Sequence, residues 1–189
     1  MNEIVATAFW NRLDTEGHDA CSLIRKAEGW RLAGCAVFDH QGKPCRLAYC
    51  VDCDTEWRTL AANVRGSVGF DELAFDVERK TMGDWLLNGV EQSAARGCVD
   101  LDLGFTPATN LIAIRRLKPH HDAEIPAPAA YYLEFSLELG LLEQTYRRTG
   151  ETTLAYASPA FGYAAELTVS PSGFITDYPS LWSGRAEGR

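Results

Sequence analysis

The stretch from Gly97 to Leu117 holds residue types that could bind or transform a polar ligand. Two carboxylates, Asp100 and Asp102, alternate there with apolar residues. This alternation is typical of a strand with one buried face, so both carboxylates leave the same face with Cα atoms roughly 7 Å apart. Carboxylates at such a spacing can accept hydrogen bonds from hydroxyl groups, or can divide acid and base roles as in glycosidases.

A polar loop and an arginine pair follow the two carboxylates. The loop runs from Thr106 to Asn110, and Ile112–Leu117 is predicted to form a second strand. Arg115 and Arg116 then point to opposite faces, and the sequence leaves open which one reaches the interior. A buried guanidinium needs a carboxylate partner, which Asp100 or Asp102 could supply if the strands form a hairpin. A structural ion pair is the ordinary interpretation of these residue types.

The elements that position these groups are predominantly short strands separated by turn residues. A hairpin is predicted around Ser170–Gly173, between 166–169 and 174–177. A helix is predicted over Phe135–Arg148, where Phe135, Leu139, Leu142 and Tyr146 recur at helical spacing, and a shorter helix over Asn88–Arg96. The expected fold is therefore all-β to α+β, a curved antiparallel sheet with one or two covering helices.

Composition narrows the class of protein. The 189 residues predict a single domain spanning 1–189, with a possible lobe junction near 118–128. A net charge of −8 argues against nucleic-acid partners, which need a basic surface. No stretch approaches the length of an integral membrane segment. Because the N-terminus shows no signal peptide, a cytoplasmic protein with reduced thiols is expected.

Three cysteines have a spacing found in iron–sulfur proteins. Cys45, Cys50 and Cys53 follow the C-x4-C-x2-C pattern, with Cys98 as a distant fourth thiol. The intervening residues predict a strand, in which Cys50 and Cys53 lie on opposite faces, whereas a cluster needs a flexible loop. Buried thiols are expected instead, with no metal and no other cofactor.

Four motifs carry a resemblance to a known family. The main one is Gly-Cys-x-Asp-x-Asp-x-x-x-Thr-Pro-Ala-Thr-Asn…Arg-Arg-Leu at 97–117. Another is Tyr-x-Val-x-x-Asp-x-x-Trp-x-Thr at 49–59, and looser matches lie at 85–89 and 178–182. Together they span about residues 20–182. They resemble a bacterial family of unknown biochemistry, described as putative glycolipid-binding.

The resemblance implies a fold and a type of ligand. The family is similar in architecture to periplasmic lipoprotein carriers, in which a spiral β-roll or half-barrel encloses an apolar cavity beneath a helical lid. It therefore implies a pocket for a hydrophobic or amphipathic molecule. Those carriers work in the periplasm, whereas this chain shows no export signal, so the expected ligand is an intracellular lipid or glycolipid.

The favoured function is non-enzymatic binding of such an amphiphile, with its tails in the sheet interior and its headgroup at a polar rim. Trp57, placed in a strand with Thr59, and Trp85 are expected to support the site with aromatic surface. The predicted rim residues are Asp100, Asp102, Thr106, Thr109, Asn110, Arg115 and Arg116. One alternative is a carbohydrate-active enzyme using Asp100 and Asp102, although side chains two apart on a strand point in parallel and flank a glycosidic bond poorly. Another is an interaction protein without a small ligand. No catalytic residue is assigned.

Overall fold

The computed structural model describes residues 2–133 and 135–188, which form two sheets and one α-helix. The first strands are β1 (Glu3–Arg12), β2 (Gly17–Lys26), β3 (Gly29–His40), β4 (Lys43–Cys53), β5 (Thr59–Val68) and β6 (Asp71–Arg79). Next come β7 (Trp85–Leu87), β8 (Val90–Glu91), β9 (Asp100–Asp102), β10 (Ile125–Pro126), β11 (Ala129–Tyr132) and β12 (Leu139–Leu142). The last are β13 (Thr145–Arg148), β14 (Thr153–Ser158), β15 (Tyr163–Val169), β16 (Ile175–Tyr178) and β17 (Trp182–Gly188). The helix is α1 (Asn110–Leu117), and short 3-10 helices cover Ser93–Ala95, Pro107–Thr109 and Pro159–Phe161.

The larger sheet has 14 strands and is curved and unclosed. Its order is β10-β13-β14-β15-β16-β17-β1-β2-β3-β4-β5-β6-β7-β8, so the pairing of β17 with β1 joins the two ends of the chain. The smaller sheet has the order β12-β11-β9, and its β11–β9 pair is parallel. The predicted curved antiparallel sheet is confirmed.

Alternating burial explains why these segments form strands. In β1, Ala6, Ala8 and Trp10 are buried while the residues between them are exposed. In β4, Leu47 and Tyr49 show the same alternation. An antiparallel sheet with one face on the core produces this pattern. The predicted hairpin around Ser170–Gly173 is confirmed as the connection between β15 and β16.

The helix α1 corrects the strand predicted at Ile112–Leu117. Thr106 caps the preceding 3-10 turn by accepting a hydrogen bond from the Ala108 N–H at 3.0 Å, and Pro107 follows it at the first helical position. Leu111 to Ile114 are all buried. The first turn and a half of α1 is thus packed inside the core, so tertiary burial overrides the strand preference of Ile112 and Ile114.

The helix predicted over Phe135–Arg148 is also wrong. The segment contains β12 and β13, which belong to different sheets. The helical spacing of its apolar residues arises because Leu139 and Leu142 are buried in one strand and Tyr146 in the other. Within Asn88–Arg96, a short strand and a 3-10 turn replace the expected helix. No helix in the described part of the chain is long and apolar enough to cross a membrane.

Candidate functional site

A cavity of about 420 Å³ opens where the 97–117 segment meets the inner face of β14–β17 and the end of β1. Asp102, Thr106 and Asn110 contribute polar groups to its lining. Aromatic rings from the strands of the large sheet form much of the remaining wall: Tyr156, Tyr163, Tyr178 and Trp182. We call this space the tyrosine cavity. It lies within the size range of small-molecule sites, roughly 300–1,000 Å³.

Strand register directs Asp102 toward this cavity. In the small sheet Asp102 is paired with Tyr131, and both line the cavity together with Leu142. The residue is 9% exposed, and one carboxylate oxygen accepts a hydrogen bond from the Gly104 N–H at 2.7 Å. Burial raises its pKa to about 6, opposed by the Gly104 hydrogen bond and reinforced by the nearby charge of Asp100. Among residues 2–133 and 135–188, no lysine, arginine or histidine side chain forms an ion pair with Asp102.

Gly104 is required by the shape of the cavity floor. Its φ of +70° lies in the left-handed region that other residues adopt at a cost. A Cβ atom at this position would lie 2.9 Å from the Tyr131 hydroxyl oxygen and 3.1 Å from the ring. Glycine therefore lets the chain turn after Asp102 and lets the Tyr131 ring lie against the backbone.

Asp100 has a different environment from Asp102. Its two oxygens accept hydrogen bonds from Arg116 Nε at 2.8 Å and Nη2 at 2.7 Å. Asp100 is 2% exposed, and burial raises its pKa although the Arg116 hydrogen bonds act in the opposite direction. Such a bidentate pair fixes geometry as well as charge. The pair holds β9 against the end of α1. Arg116 is therefore the arginine that pairs with one of the two carboxylates of the 97–117 segment.

Thr106 connects the segment to the opposite wall. Its hydroxyl donates a short hydrogen bond to Asp19 on β2, and Tyr49 donates to the same carboxylate oxygen at 2.9 Å. The other oxygen of Asp19 has no hydrogen-bond partner among the described residues. Burial raises the pKa of Asp19 to about 6. Sequence reasoning did not identify this third buried carboxyl group, because its partners are 30 and 87 positions away.

Asn110 and Thr109 complete the turn into α1. The Asn110 amide donates to the Tyr146 hydroxyl oxygen at 2.8 Å, which links the helix start to β13. The Thr109 hydroxyl accepts a long hydrogen bond from the Leu103 N–H at 3.5 Å. Of these two, only Asn110 lines the tyrosine cavity.

The tyrosine rings form a connected cluster. Ring centroids are separated by 5.0 Å for Tyr146 and Tyr156, 5.6 Å for Tyr156 and Tyr178, and 5.5 Å for Tyr163 and Tyr178. Burial raises the pKa of Tyr156 to about 12 and that of Tyr178 further, so both hydroxyls stay neutral at physiological pH. The cluster offers ring faces and O–H donors together. Its sequence signal was weak, because the tyrosines lie on separate strands.

The remaining predicted site residues lie away from the tyrosine cavity. Trp57 has a φ of +66° and precedes β5, so its predicted placement in a strand with Thr59 is wrong. The physical reason is a turn in which Asp54 accepts hydrogen bonds from two backbone N–H groups at 2.9 Å. Trp57 stacks on Trp30, and Arg115 lies 5.8 Å from its ring. Trp85 is fully buried and donates to a backbone carbonyl at 3.1 Å.

The described residues hold no group of three or more His, Cys, Asp or Glu side chains arranged for a metal ion. Cys45 and Cys53 are buried on β4, and Cys50 lies on the opposite face. Two carboxylates line the tyrosine cavity: Asp14 is held by Arg12 at 2.8 Å, whereas Asp102 has no ion-pair partner among the described residues. The arrangement is suited to accepting hydrogen bonds from hydroxyl groups and to stacking against a ring.

Comparison with known proteins supports the fold and the family. None of the curated proteins matches the chain significantly. Among solved structures, the chain is similar to a DUF1089 family protein from Pseudomonas aeruginosa, with a TM-score of 0.74 and 24% identity over 87% of this chain and 91% of that chain. At this identity the likeness shows the fold alone. A family model described as putative glycolipid-binding matches residues 7–184. The chain therefore belongs to the putative glycolipid-binding family.

Proposed function

We propose that the tyrosine cavity binds the carbohydrate headgroup of an amphipathic ligand, a glycolipid. The observation that carries the proposal is Asp102, a buried carboxylate that no cation of the described residues pairs with, in a cavity walled by aromatic rings. Gly104 occupies one side of that carboxylate, which leaves acceptor capacity for ligand hydroxyls. The family description supports a ligand of this class.

The walls favour a sugar over an ammonium group. A carboxylate with aromatic rings could also hold an ammonium ion. However, an ammonium ion carries no lone pair and would leave the O–H donors of the cavity wall without an acceptor. Neutral hydroxyls of Tyr156 and Tyr178 supply hydrogen-bond donors, and their rings supply faces for stacking. Sugars offer both hydroxyl groups and apolar ring faces, so they complement these walls.

The geometry supports a ligand orientation opposite to the one expected from the sequence, which placed tails inside and headgroups at the rim. The interior is occupied by buried side chains of the chain itself, including Phe105, Leu111 and Ile112. At the cavity opening, by contrast, Phe161 is 57% exposed. Leu13 is 52% exposed, and its N–H bonds to Leu181, another lining residue. The headgroup would enter first, and the tail would lie along this apolar rim.

The test compares detergents that share a tail and differ in headgroup. Isothermal titration below the critical micelle concentration would use octyl glucoside, octyl maltoside and octyl galactoside. Octyl tetraethylene glycol ether and octyl trimethylammonium serve as references. We expect saturable binding of a glycoside and about tenfold or greater weakening by Asp102→Asn, because a hydrogen bond to a charged group contributes about 1.5–3 kcal/mol. Asp177→Asn, on the exposed face of β16, is the matched control and should bind like the unmodified protein.

Equal affinity for all the octyl compounds would contradict headgroup recognition. Preferential binding of octyl trimethylammonium would show that the cavity binds a cation and not a sugar. Glycoside binding that Asp102→Asn leaves unchanged would place the site elsewhere on the protein.

A further inference from the structure

A second cavity, of about 510 Å³, lies at the other end of α1. Its lining includes three cationic side chains from separate places in the chain: Arg115 in the last turn of α1, Lys118 at its C-cap and Arg148 at the end of β13. Glu151 is the carboxylate among the lining residues. Hydroxyl groups of Thr152 and Ser170 also line it. We call this space the cationic cavity.

Backbone carbonyls hold the two guanidinium groups in place without neutralising them. Arg115 donates from Nε and Nη2 to the Ser172 carbonyl at 3.0 and 2.5 Å. Arg148 donates to the carbonyls of Pro119 at 3.1 Å and Glu151 at 2.9 Å. Within the described chain, neither guanidinium forms an ion pair with a carboxylate. Both therefore keep full positive charge and N–H groups for a further acceptor.

Three other arginines of the protein show the alternative, a guanidinium held by a carboxylate. Ion pairs join Arg31 to Asp52, Arg65 to Asp76 and Arg116 to Asp100. The chain carries 26 acidic and 18 basic residues, so carboxylates are plentiful. Within the described residues, Arg115, Lys118 and Arg148 form no carboxylate ion pair, although Glu151 lines the same cavity, so the cavity has room for an anion from outside the chain.

The negative end of the helix dipole accounts for only part of this cluster. Arg115 and Lys118 lie at the C-terminal end of α1, where cations stabilise a helix. Arg148 belongs to a strand of the large sheet and bonds to carbonyls outside α1. The Arg148 guanidinium therefore reaches the cavity independently of α1, and its Nη2 has no acceptor among the described residues.

We propose that the cationic cavity is a phosphate-binding site, separate from the tyrosine cavity. Arg115 and Arg148 would contact the phosphate oxygens through their remaining N–H groups, Lys118 would add a mobile positive charge, and hydroxyl groups of Thr152 and Ser170 would donate further hydrogen bonds. Guanidinium groups fit phosphate oxygens well because their planar donors can form paired hydrogen bonds. The phosphate could be free in solution or form part of a lipid headgroup, and the two sources share this chemistry.

Titration with inorganic phosphate and pyrophosphate by calorimetry, at constant ionic strength, tests the free form. Co-sedimentation with phosphatidylcholine vesicles with or without phosphatidic acid tests the lipid form. Arg115→Gln and Arg148→Gln should each weaken binding about tenfold or more, since each removes a charge-assisted contact. Lys118→Gln, at an exposed position, should weaken it less while keeping the fold. Arg147→Gln is the matched control: it removes the same charge from the neighbouring position of β13, outside the cavity lining.

The site is supported if binding of either phosphate source is weakened strongly in Arg115→Gln and Arg148→Gln, less in Lys118→Gln, and not in Arg147→Gln. The arm that binds identifies the source. No saturable binding in either arm would overturn the proposal. Equal loss in Arg147→Gln would also overturn it, because net charge alone would then explain the effect. Asp102→Asn should retain phosphate binding, so failure of the sugar site and of this site can be told apart.

Discussion

Asp100 and Asp102 lie two residues apart on one short strand, yet only Asp100 is paired with a cation. Arg116 contacts both oxygens of Asp100 at 2.7–2.8 Å, whereas Asp102 receives a single backbone N–H and lines the tyrosine cavity. The same chemical group is therefore structural at one position and available to a ligand at the other. Identical substitutions at the two positions should have different effects on stability.

Asp102→Asn should stabilise the protein at neutral pH. The pKa of Asp102 is raised from 3.8 to about 6 by burial, so between those values the folded protein binds more protons than the unfolded chain. Its contribution to stability is thus fully present below pH 4 and is lost as the pH rises through 6. The Asp102→Asn variant has no titrating group at this position, so it does not lose this part of its stability as the pH rises through 6. We expect a gain of about 2–3 kcal/mol in the free energy of unfolding at pH 7.5, and little difference near pH 4.

Urea denaturation of both proteins from pH 4 to 7.5 measures the effect. Asp19, whose pKa is also raised to about 6, should leave the variant with part of the original pH slope. A constant difference across this pH range would show that Asp102 does not titrate as stated. A gain in stability joined to a loss of ligand affinity is the usual sign of a binding residue.

Asp100→Asn should not give the gain expected of Asp102→Asn, because the loss of the carboxylate partner of Arg116 opposes the gain from removing a carboxyl group of raised pKa. Arg116→Gln should destabilise the protein by about 3 kcal/mol or more, because it leaves Asp100 buried and unpaired. Urea denaturation of both single variants and of the double variant gives a coupling energy that isolates the pair. Additive single effects would show that β9 and α1 are held together by other contacts.

Sequence reasoning succeeded where local chemistry decides the structure. The Ser170–Gly173 hairpin follows from its turn residues, and the alternation around Asp100 and Asp102 correctly predicted a strand. It failed at Ile112–Leu117, where isoleucines favour a strand and complete burial favours a helix. It also failed at Phe135–Arg148, where buried residues of two separate strands fall at helical spacing.

In the candidate site, too, residues close together in the sequence were predicted and residues brought together by distant strands were not. Asp102, Thr106 and Asn110 were predicted from one continuous segment, and all three line the tyrosine cavity. Tyr156 and Tyr178 were not predicted, because they meet only through the register of separate strands in the large sheet. Arg115 was predicted to lie with the carboxylates. It lies in the last turn of α1 and lines the cationic cavity instead.

Gly104→Ala should reduce both stability and ligand affinity. The added Cβ atom meets the Tyr131 ring, and alanine is strained at a φ of +70°. Gly162→Ala is a matched control, since Gly162 has a φ of +58° and a Cβ atom there contacts nothing within 4 Å. Strain alone costs about 1–2 kcal/mol in either variant. Thermal unfolding and glycoside titration should show a larger loss for Gly104→Ala, and equal losses would mean that the Tyr131 contact is unimportant.

Phe161→Ser should separate tail binding from headgroup binding. Phe161 lines the cavity opening, is 57% exposed and contacts Tyr131 edge to face with 5.5 Å between ring centroids. Removing this ring takes away apolar area that an alkyl chain could cover, and each CH₂ group that is buried contributes about 0.8 kcal/mol. We expect weaker binding of octyl glycosides, with the binding of the corresponding methyl glycosides unchanged.

The control for this prediction is Phe70→Ser. Phe70 is fully exposed in the turn between β5 and β6 and does not line the tyrosine cavity, so its loss should leave both ligands unaffected. If Phe161→Ser weakened octyl and methyl glycosides equally, the ring would act on the headgroup. The proposed orientation, with the sugar inside and the tail at the rim, would then be wrong, because the rim would no longer distinguish ligands by their tails.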